Sequence, residues 1–277
     1  GKGIYEGTVK KTFSIGKATP TIVWASDEVT LTYTGQPAAV ALVITLVNGE
    51  TYTGEIHYSW AGVADSLVLP TNAGSYGGIR ANIPEQNNYT AAKSNGLILY
   101  INPADQAAPS APSATEDNIK DTSITLTTVE NAEYRMGKDG EWQESPTFTG
   151  LDPNKAYTFY ARLKADRNHN ASPSSAAASI TTKKTMLDNA TVMVNGTYTY
   201  TGAAIVPETG NVTVELNGTT INSDQYTISA TDNINAGKAT VTVTAAANGN
   251  YSGSIRTTFT IGKAALTIKA NDQTITY

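Results

Sequence analysis

The sequence predicts an all-β chain, and three observations lead to that prediction. It contains 42 threonines, and β-branched Thr favours the pleated, half-buried surface of a strand. Apolar and polar residues alternate along many segments, as at Val212, Val214 and Leu216, which is typical of a strand with one buried face. No stretch combines helical periodicity with capping residues. The length of 277 residues allows two or three domains of about 100–200 residues each.

Internal repeats organise the chain. Residues 3–18 recur at 249–264 without a gap, with Tyr, Gly, Thr, Phe, Ile, Gly, Lys and Ala at identical spacing, and a looser copy covers 88–104. Two shorter words recur as well: Tyr-Thr-Gly at 33–35 and 200–202, and Asn-Ala-Gly at 72–74 and 235–237. In chain order the words indicate an opening strand, a central turn and a closing strand.

Composition shifts twice along the chain, at a Pro/Ala/Ser stretch (103–113) and at the polar Lys183-Lys184-Thr185. Such stretches are typical of connectors between domains. The predicted organisation is a closing strand of a preceding module (1–16), a first sandwich (17–102), a linker (103–113), a middle sandwich (114–183), a third sandwich (184–262) and an opening strand of a following module (263–277). We expect both end segments to be ordered by strand pairing, either with each other across neighbouring molecules or against an adjacent module. The alternative is that they are integral strands of the first and third sandwiches.

Turn signals and alternation predict the elements inside these segments. Asn48-Gly49, Asp139-Gly140 and Asn217-Gly218 lie between alternating runs, and each pair tolerates the positive φ of a two-residue hairpin. The third sandwich should contain strands at Val212–Leu216 and around Val241–Ala245. The predicted strands of the middle segment are Ser123–Thr127, Ala132–Met136, Pro146–Thr149, Ala156–Lys164 and Ala176–Thr182.

The middle segment resembles a fibronectin type III domain. Leu151-Asp152-Pro153 followed by Tyr157 is similar to the tyrosine corner of that family, in which a Tyr at the start of a strand hydrogen-bonds back to the corner. The resemblance implies structural roles for Leu151, Tyr157 and Trp142. Many relatives carry a Trp in an early strand, whereas residues 124–126 here contain none, so Trp142 is expected to fill that space from another strand.

The flanking segments resemble bacterial immunoglobulin-like (Ig-like) modules of the MBG type, which occur in tandem in large surface proteins. The resemblance rests on the Tyr-Thr-Gly and Asn-Ala-Gly words and on residues 250–261. It implies tandem Ig-like and fibronectin type III-like β-sandwiches in an elongated array. Because the tyrosines recur at equivalent positions, we expect packing roles for the repeat aromatics, namely Tyr33, Tyr89, Tyr200, Tyr251 and Phe259.

The sequence offers little for catalysis. It has no cysteine and only two histidines, His57 and His169, and neither lies in a recognisable triad or metal-ligand spacing. The acidic pairs do not follow the calcium-loop spacing of an EF-hand. A net charge of −5 argues against nucleic-acid binding, and no apolar run approaches the ~20 residues that span a bilayer. We therefore predict no enzyme activity, no cofactor, no metal site and no direct membrane insertion.

The predicted function is a non-catalytic stalk or spacer within a secreted or cell-surface bacterial protein, whose partners are neighbouring modules of the same polypeptide. The alternative is an adhesin-type module that binds a glycan or a host extracellular protein. Sugar-binding modules stack aromatic rings on pyranose faces. Tyr58 and Trp60 lie apart from the repeat words and are therefore the candidate glycan contacts.

Overall fold

The computed structural model describes residue 3, residues 6–270 and residues 273–275, without the side chain of Asn48. Tyr5 and Tyr277, which belong to the repeat words, lie outside the described residues. The described chain is all-β, with 22 strands, four short 3₁₀ turns and no α-helix, which confirms the predicted fold class. It divides into two compact units: unit 1 contains residues 1–109 and 162–173, and unit 2 contains residues 110–161 and 174–277.

Unit 1 contains the strands of the predicted first sandwich. Their bounds are β1 Thr21–Trp24, β2 Glu28–Thr32, β3 Leu42–Thr45, β4 His57–Trp60, β5 Val63–Ser66, β6 Gly74–Ile83, β7 Ala92–Lys93 and β8 Leu97–Asn102. β1 and β3 form an antiparallel pair, and the second sheet has the order β2-β8-β6-β4-β5 with β7 beside β6. Alternate residues of both sheets enter one buried cluster, in which Trp24 of β1 meets Ile79 of β6 and Leu99 of β8. The two sheets therefore form a β-sandwich.

Unit 2 contains the strands of the other two predicted sandwiches. Their bounds are β9 Ser123–Thr125, β10 Ala132–Met136, β11 Thr147–Thr149, β12 Ala156–Leu163 (its last two residues in unit 1), β13 Ala178–Thr181, β14 Thr185–Met186, β15 Thr191–Val194, β16 Tyr198–Thr199, β17 Val212–Leu216, β18 Thr219–Thr220, β19 Tyr226–Thr231, β20 Gly237–Ala245, β21 Tyr251–Ser252 and β22 Ser254–Gly262. The sheets are β9-β11, β10-β12-β13, β14-β21, β15-β17-β18 and β16-β22-β20-β19.

Two separate groups of buried side chains lie in unit 2. In the third segment, Val214 of β17, Val241 of β20 and Ile261 of β22 share one cluster, so both larger sheets cover the same core. In the middle segment, Phe148 of β11 and Phe159 of β12 pack with ring centroids 4.9 Å apart. The predicted strands of the middle segment are each present within two residues of their predicted ends.

In the first and third sandwiches the opening strand pairs in parallel with the closing strand. Glu28–Thr32 of β2 lies beside Ile98–Asn102 of β8, and Tyr198–Thr199 of β16 lies beside Ile261–Gly262 of β22. Tyr33 N–H donates to Asn102 O at 2.8 Å, and Tyr200 N–H donates to Gly262 O at 2.9 Å. The repeated Tyr-Thr-Gly word thus follows the opening strand each time, at the position where the closing strand ends.

The hairpin predictions are correct at one of the three positions. Asn217-Gly218 joins β17 to β18, with φ values of 52° and 78°. Asn48-Gly49 instead ends a 3₁₀ turn (Val47–Gly49), because β3 pairs with β1 and not with β4. After β10 the positive φ falls at Gly137, and a longer loop through Asp139-Gly140 returns to the Tyr134–Gln143 bridge.

The prediction for Trp142 is wrong. This side chain is only partly buried, and the Arg135 guanidinium lies over its ring at 4.5 Å. The core of the middle segment contains Tyr134, which is fully buried, and whose hydroxyl accepts a hydrogen bond from Val129 N–H at 2.6 Å. Because the buried ring packs in the core while its hydroxyl has a hydrogen-bond partner, Tyr134 can be buried without leaving its polar end unpaired.

The repeat aromatics differ in their degree of burial. Phe259 is buried and Tyr251 packs against the same cluster. Tyr33 packs against the core of unit 1, and the Tyr89 hydroxyl donates to Glu50 Oε2 at 2.7 Å. Tyr200 is the exception, because it is exposed, and the expected buried packing role is wrong at that position.

The described residues of the two end segments form no strand pair with the rest of the chain. Residues 6–16 and the described residues of 263–277 form no strand, and their large apolar side chains are exposed. The expectation that they are integral strands of the first and third sandwiches is therefore wrong, and so is the expectation that they pair with an adjacent module of this chain. Lys17, directly after the first segment, is already attached to unit 1 through Gln86 O at 2.9 Å.

The tyrosine corner of the middle segment is present as the sequence predicts. Asp152 N–H donates to the Tyr157 hydroxyl at 2.8 Å, and Leu151 is buried while its N–H donates to Thr122 O at 3.0 Å. The hydroxyl therefore fixes the chain that enters β12.

Replacing Tyr157 by Phe removes only this hydroxyl. We expect Y157F to lower the free energy of unfolding by about 1–2 kcal/mol, because Asp152 N–H loses its partner. Denaturant unfolding followed by tryptophan fluorescence measures the loss. The matched control is Tyr200→Phe, because the exposed Tyr200 hydroxyl has no hydrogen-bond partner among the described residues. Equal stabilities of Y157F and the control would contradict the assignment.

Candidate functional site

The predicted glycan contacts lie on β4, whose side chains alternate between two faces. Tyr58 and Trp60 point to the core side, where both pack against the buried cluster. The Tyr58 ring stacks on buried Trp24 with centroids 6.1 Å apart and an interplanar angle of 24°, and burial raises the pKa of the Tyr58 hydroxyl. The structure thus places both rings at the core, only partly exposed, and their contact with a glycan stays a prediction.

The opposite face of β4 is polar. His57 Nδ1 lies 2.7 Å from Asp65 Oδ1, which pairs β4 with β5 through their side chains. Asn82 Nδ2 of β6 donates to Ser59 Oγ at 3.1 Å and to His57 O at 3.2 Å. These groups border an open depression of about 620 Å³ that also includes Lys93. Hydrogen-bonding groups therefore converge on one surface that the sequence analysis did not identify.

A second cluster lies at the Pro/Ala/Ser connector. Residues 166–170, here called the clamp loop, come after β12 and belong to unit 1 together with the start of the connector. Ala104 N–H donates to Asn168 O at 2.8 Å, and Asn170 N–H donates to Ala104 O at 2.9 Å. Gln106 Nε2 donates to Asn170 O at 2.7 Å and Lys164 O at 3.0 Å. The connector is thus hydrogen-bonded to the clamp loop as a short strand would be.

The clamp loop also holds the Asn72–Ala73 turn of the first sandwich. Asn168 Oδ1 accepts a hydrogen bond from Ala73 N–H at 2.9 Å, and its Nδ2 donates to Asn72 Oδ1 at 3.1 Å. Arg167 Nε donates to Ala73 O at 3.2 Å. The first copy of the Asn-Ala-Gly word, at 72–74, therefore binds this loop as well as forming a turn.

Asp166 shapes the clamp loop internally. Its Oδ1 accepts hydrogen bonds from Asn168 N–H at 2.6 Å and His169 N–H at 2.7 Å, and His169 Nδ1 lies 3.1 Å from both carboxylate oxygens. The hydrogen bond with the His169 ring lowers the pKa of the Asp166 carboxyl below its ordinary value, and the Asn168 N–H lowers it further. The His169 ring also meets Tyr33 edge-on, with centroids 5.2 Å apart.

A comparable connection occurs at Lys183-Lys184-Thr185 in unit 2. Lys183 N–H donates to Lys120 O at 2.9 Å, and Thr185 Oγ1 donates to Asp121 Oδ2 at 2.8 Å. Thr185 is also the first residue of β14, which pairs with β21. This predicted connector is thus part of a sheet on one side and hydrogen-bonded to the middle segment on the other.

Sequence reasoning found neither histidine in a recognisable triad or metal-ligand spacing, and the structure places His57 in β4 and His169 in the clamp loop. Sequence reasoning missed the role of the clamp loop, because that loop meets residues about 65 to 95 positions away. The local signal was Asp166 two residues before Asn168, a pattern typical of Asx turns.

Within the described residues no three His, Cys, Asp or Glu side chains group closely enough to hold a metal ion, and none of the elements is a helix able to span a membrane.

The lowered pKa of Asp166 predicts a pH dependence. The carboxylate stabilises the clamp loop above its ordinary pKa of 3.8, and this stabilisation is lost as the pH falls through the lower pKa of the folded chain. We expect Asp166→Asn to lower the thermal midpoint at pH 7, with a gap to the wild type that narrows below about pH 4.

Scanning calorimetry from pH 7 to pH 2 measures that gap. Asp139→Asn, in an exposed turn without an acceptor role among the described residues, is the matched control. A D166N gap that stays constant over the whole pH range would contradict the role given to the carboxylate.

Comparison with known proteins gives little beyond this. No family model matches the chain, and no curated protein matches it. Among solved structures, the FN1–FN3 domains of chicken CNTN1 are 13% identical with a TM-score of 0.23, covering 61% of this chain and 66% of that one, just under two thirds of its length. The SGBP-B protein of the Bacteroides ovatus mixed-linkage glucan utilization locus, in complex with a mixed-linkage heptasaccharide, is 11% identical with a TM-score of 0.24, covering 89% and 71%.

Proposed function

We propose that this chain is a non-catalytic spacer within a secreted or cell-surface bacterial protein, with neighbouring modules of the same polypeptide as its partners. In this role the chain sets the positions of the neighbouring modules and transmits force between them. A spacer of this kind needs modules that each bury a core and connectors that do not act as free hinges.

The observation that carries the proposal is the hydrogen-bonded connector. Ala104 both donates to and accepts from the clamp loop, and Asn170 Nδ2 donates to Asp105 Oδ1 at 2.8 Å. A free Pro/Ala/Ser segment would behave as a semi-flexible spacer, whereas each hydrogen bond removes backbone freedom from this one. The connection at Lys183 and Thr185 supports the same interpretation, because the chain enters β14 without an unpaired stretch.

Separate cores also support a mechanical role. The buried clusters of the first and third segments are built from different strands, so each segment carries its own hydrophobic stabilisation. Sandwiches of about 80–90 residues can fold on such cores without disulfides, in keeping with a chain that has no cysteine.

Hydrogen exchange tests the clamp directly. We expect the amides of Ala104 and Asn170 to exchange slowly. Asn168→Ala should accelerate this exchange on the order of tenfold or more, because Ala73 N–H loses its acceptor and the clamp loop loses its hydrogen bonds to the Asn72–Ala73 turn. Asn222→Ala, at an exposed Asn whose side chain has no partner among the described residues, is the control. Fast exchange at Ala104 and Asn170 in the wild type would refute the clamped connector and, with it, the observation that carries the spacer proposal.

A glycan-binding function is the second candidate, and the polar depression beside β4 favours it. His57, Ser59, Asp65, Asn82 and Lys93 present donors and acceptors around one open surface. Hydroxyl-rich ligands are recognised by such convergent groups. The predicted ring contacts, Tyr58 and Trp60, lie on the other face of the same strand.

An array of soluble oligosaccharides and matrix proteins tests this candidate. If a sugar binds beside β4, Asp65→Ala should weaken the affinity about tenfold or more, because hydrogen bonds to charged groups are worth about 1.5–3 kcal/mol. Asp117→Ala removes the same charge from an exposed turn of unit 2 and should leave affinity unchanged. Absence of binding, or equal affinities for the two variants, would rule out this surface as a glycan site.

A further inference from the structure

Each end of the chain carries one copy of the same composite word. Residues 6–18 match 252–264, and the match continues, because residues 16–33 and 262–277 both open with Gly-Lys-Ala, have Thr-Ile three residues later and end in Thr-x-Thr-Tyr, the second being two residues shorter. The composite word therefore consists of a closing strand, Gly-Lys-Ala and an opening strand.

The structure folds opposite halves of this word at the two ends. At the C-terminal copy the closing half is β22, where Phe259 is 6% and Ile261 is 1% exposed. At the N-terminal copy the equivalent Phe13 and Ile15 are 84% and 86% exposed. The same residue types at the same spacing are thus core residues in one copy and solvent-exposed in the other.

The opening half shows the reverse. At the N-terminal copy it forms β1 and β2, and Ile22 is 4% exposed. At the C-terminal copy the equivalent Ile268 is 82% exposed. Side chains of this size are stabilised when a core removes them from water, and these remain exposed. The exposed halves therefore need a partner that supplies the missing core.

The partner is defined by what the folded halves contact. β22 pairs in parallel with an opening strand, β16, and antiparallel with β20. A strand with the sequence of residues 8–16 therefore fits an Ig-like sandwich whose closing-strand position is open. Because the chain runs directly from that strand into β1, a sandwich completed by it in the same polypeptide would lie immediately before the first sandwich.

Combining the two folded halves also fixes the length of the joint. In the closing half, Gly262 O accepts a hydrogen bond from Tyr200 N–H, so Gly262 still belongs to the sandwich. In the opening half, Ala18 N–H donates to Asn88 O and Ala18 O accepts from Thr90 N–H, both at 2.9 Å. Gly262 is equivalent to Gly16 and Ala264 to Ala18, so a single residue, Lys17, lies between the two sandwiches.

Lys17 is itself held. Its ammonium donates to Gln86 O at 2.9 Å and also contacts the Glu85 carboxylate. The hydrogen bond from Lys17 to Glu85 lowers the pKa of the Glu85 carboxyl. We propose that residues 6–16 are the closing strand of a neighbouring Ig-like sandwich in the same polypeptide, joined to the first sandwich through Lys17 alone, and that residues 263–277 begin an equivalent sandwich on the other side.

The test supplies the missing sandwich. In an extended chain, residues 184–253 are placed directly before Thr8, so that residues 8–16 stand where β22 stood. We expect the amides of residues 9–16 to exchange on the order of 100-fold more slowly than in the original chain. The double variant Phe13→Ser, Ile15→Ser of the extended chain should lose this protection.

A second extended chain distinguishes the possible failures. It joins residues 184–262, which include their own closing strand, directly to Lys17. If this added sandwich folds while residues 9–16 of the first extended chain stay unprotected, the closing-strand role is wrong. If the second chain shows no folded addition, the single-residue joint is wrong. Neither failure touches the spacer proposal, which is tested by exchange at Ala104 and Asn170.

Discussion

The parallel pairing of the opening strand with the closing strand is the constraint on which the first and third sandwiches depend. Thr30 of β2 pairs with Tyr100 of β8, and Tyr198 of β16 pairs with Ile261 of β22, so each contact spans more than 60 residues. Closing such long loops costs chain entropy, and this cost comes before the contacts that stabilise the pairing can form. A sandwich of this type is therefore complete only when its last strand is in place, and an isolated closing strand leaves its apolar side chains in water.

The same constraint explains why the connections between segments are tight. Because the closing strand ends beside the start of the same sandwich, the chain leaves from a fixed position, and the residues that follow are immediately within reach of the next segment. After β8 the chain is hydrogen-bonded to the clamp loop at Ala104. Near Lys183 it passes directly into β14. Polar side chains such as Asn168 and Thr185 complete these connections.

Local patterns were sufficient for the strands but not for their partners. Alternation identified β10, β12 and β17 because a half-buried strand has period two, and the Leu151–Tyr157 corner could be recognised because it is built from residues close in sequence. Asn48-Gly49 failed as a hairpin because β3 pairs with β1, a choice made by tertiary packing. Trp142 was misjudged for the same reason, since burial depends on the opposite sheet. The clamp loop and the polar depression beside β4 were not predictable, because each unites residues distant in sequence.

Residue-resolved hydrogen exchange under native conditions tests the central claim most directly. If the closing strand completes each sandwich, the amides of Tyr33 and Tyr200, which donate to Asn102 O and Gly262 O, should open only with the whole core, as slowly as those of the central strands β6 and β20. Exchange at Tyr33 and Tyr200 through local opening, much faster than in β6 and β20, would show that the opening and closing strands are held independently and would contradict the account.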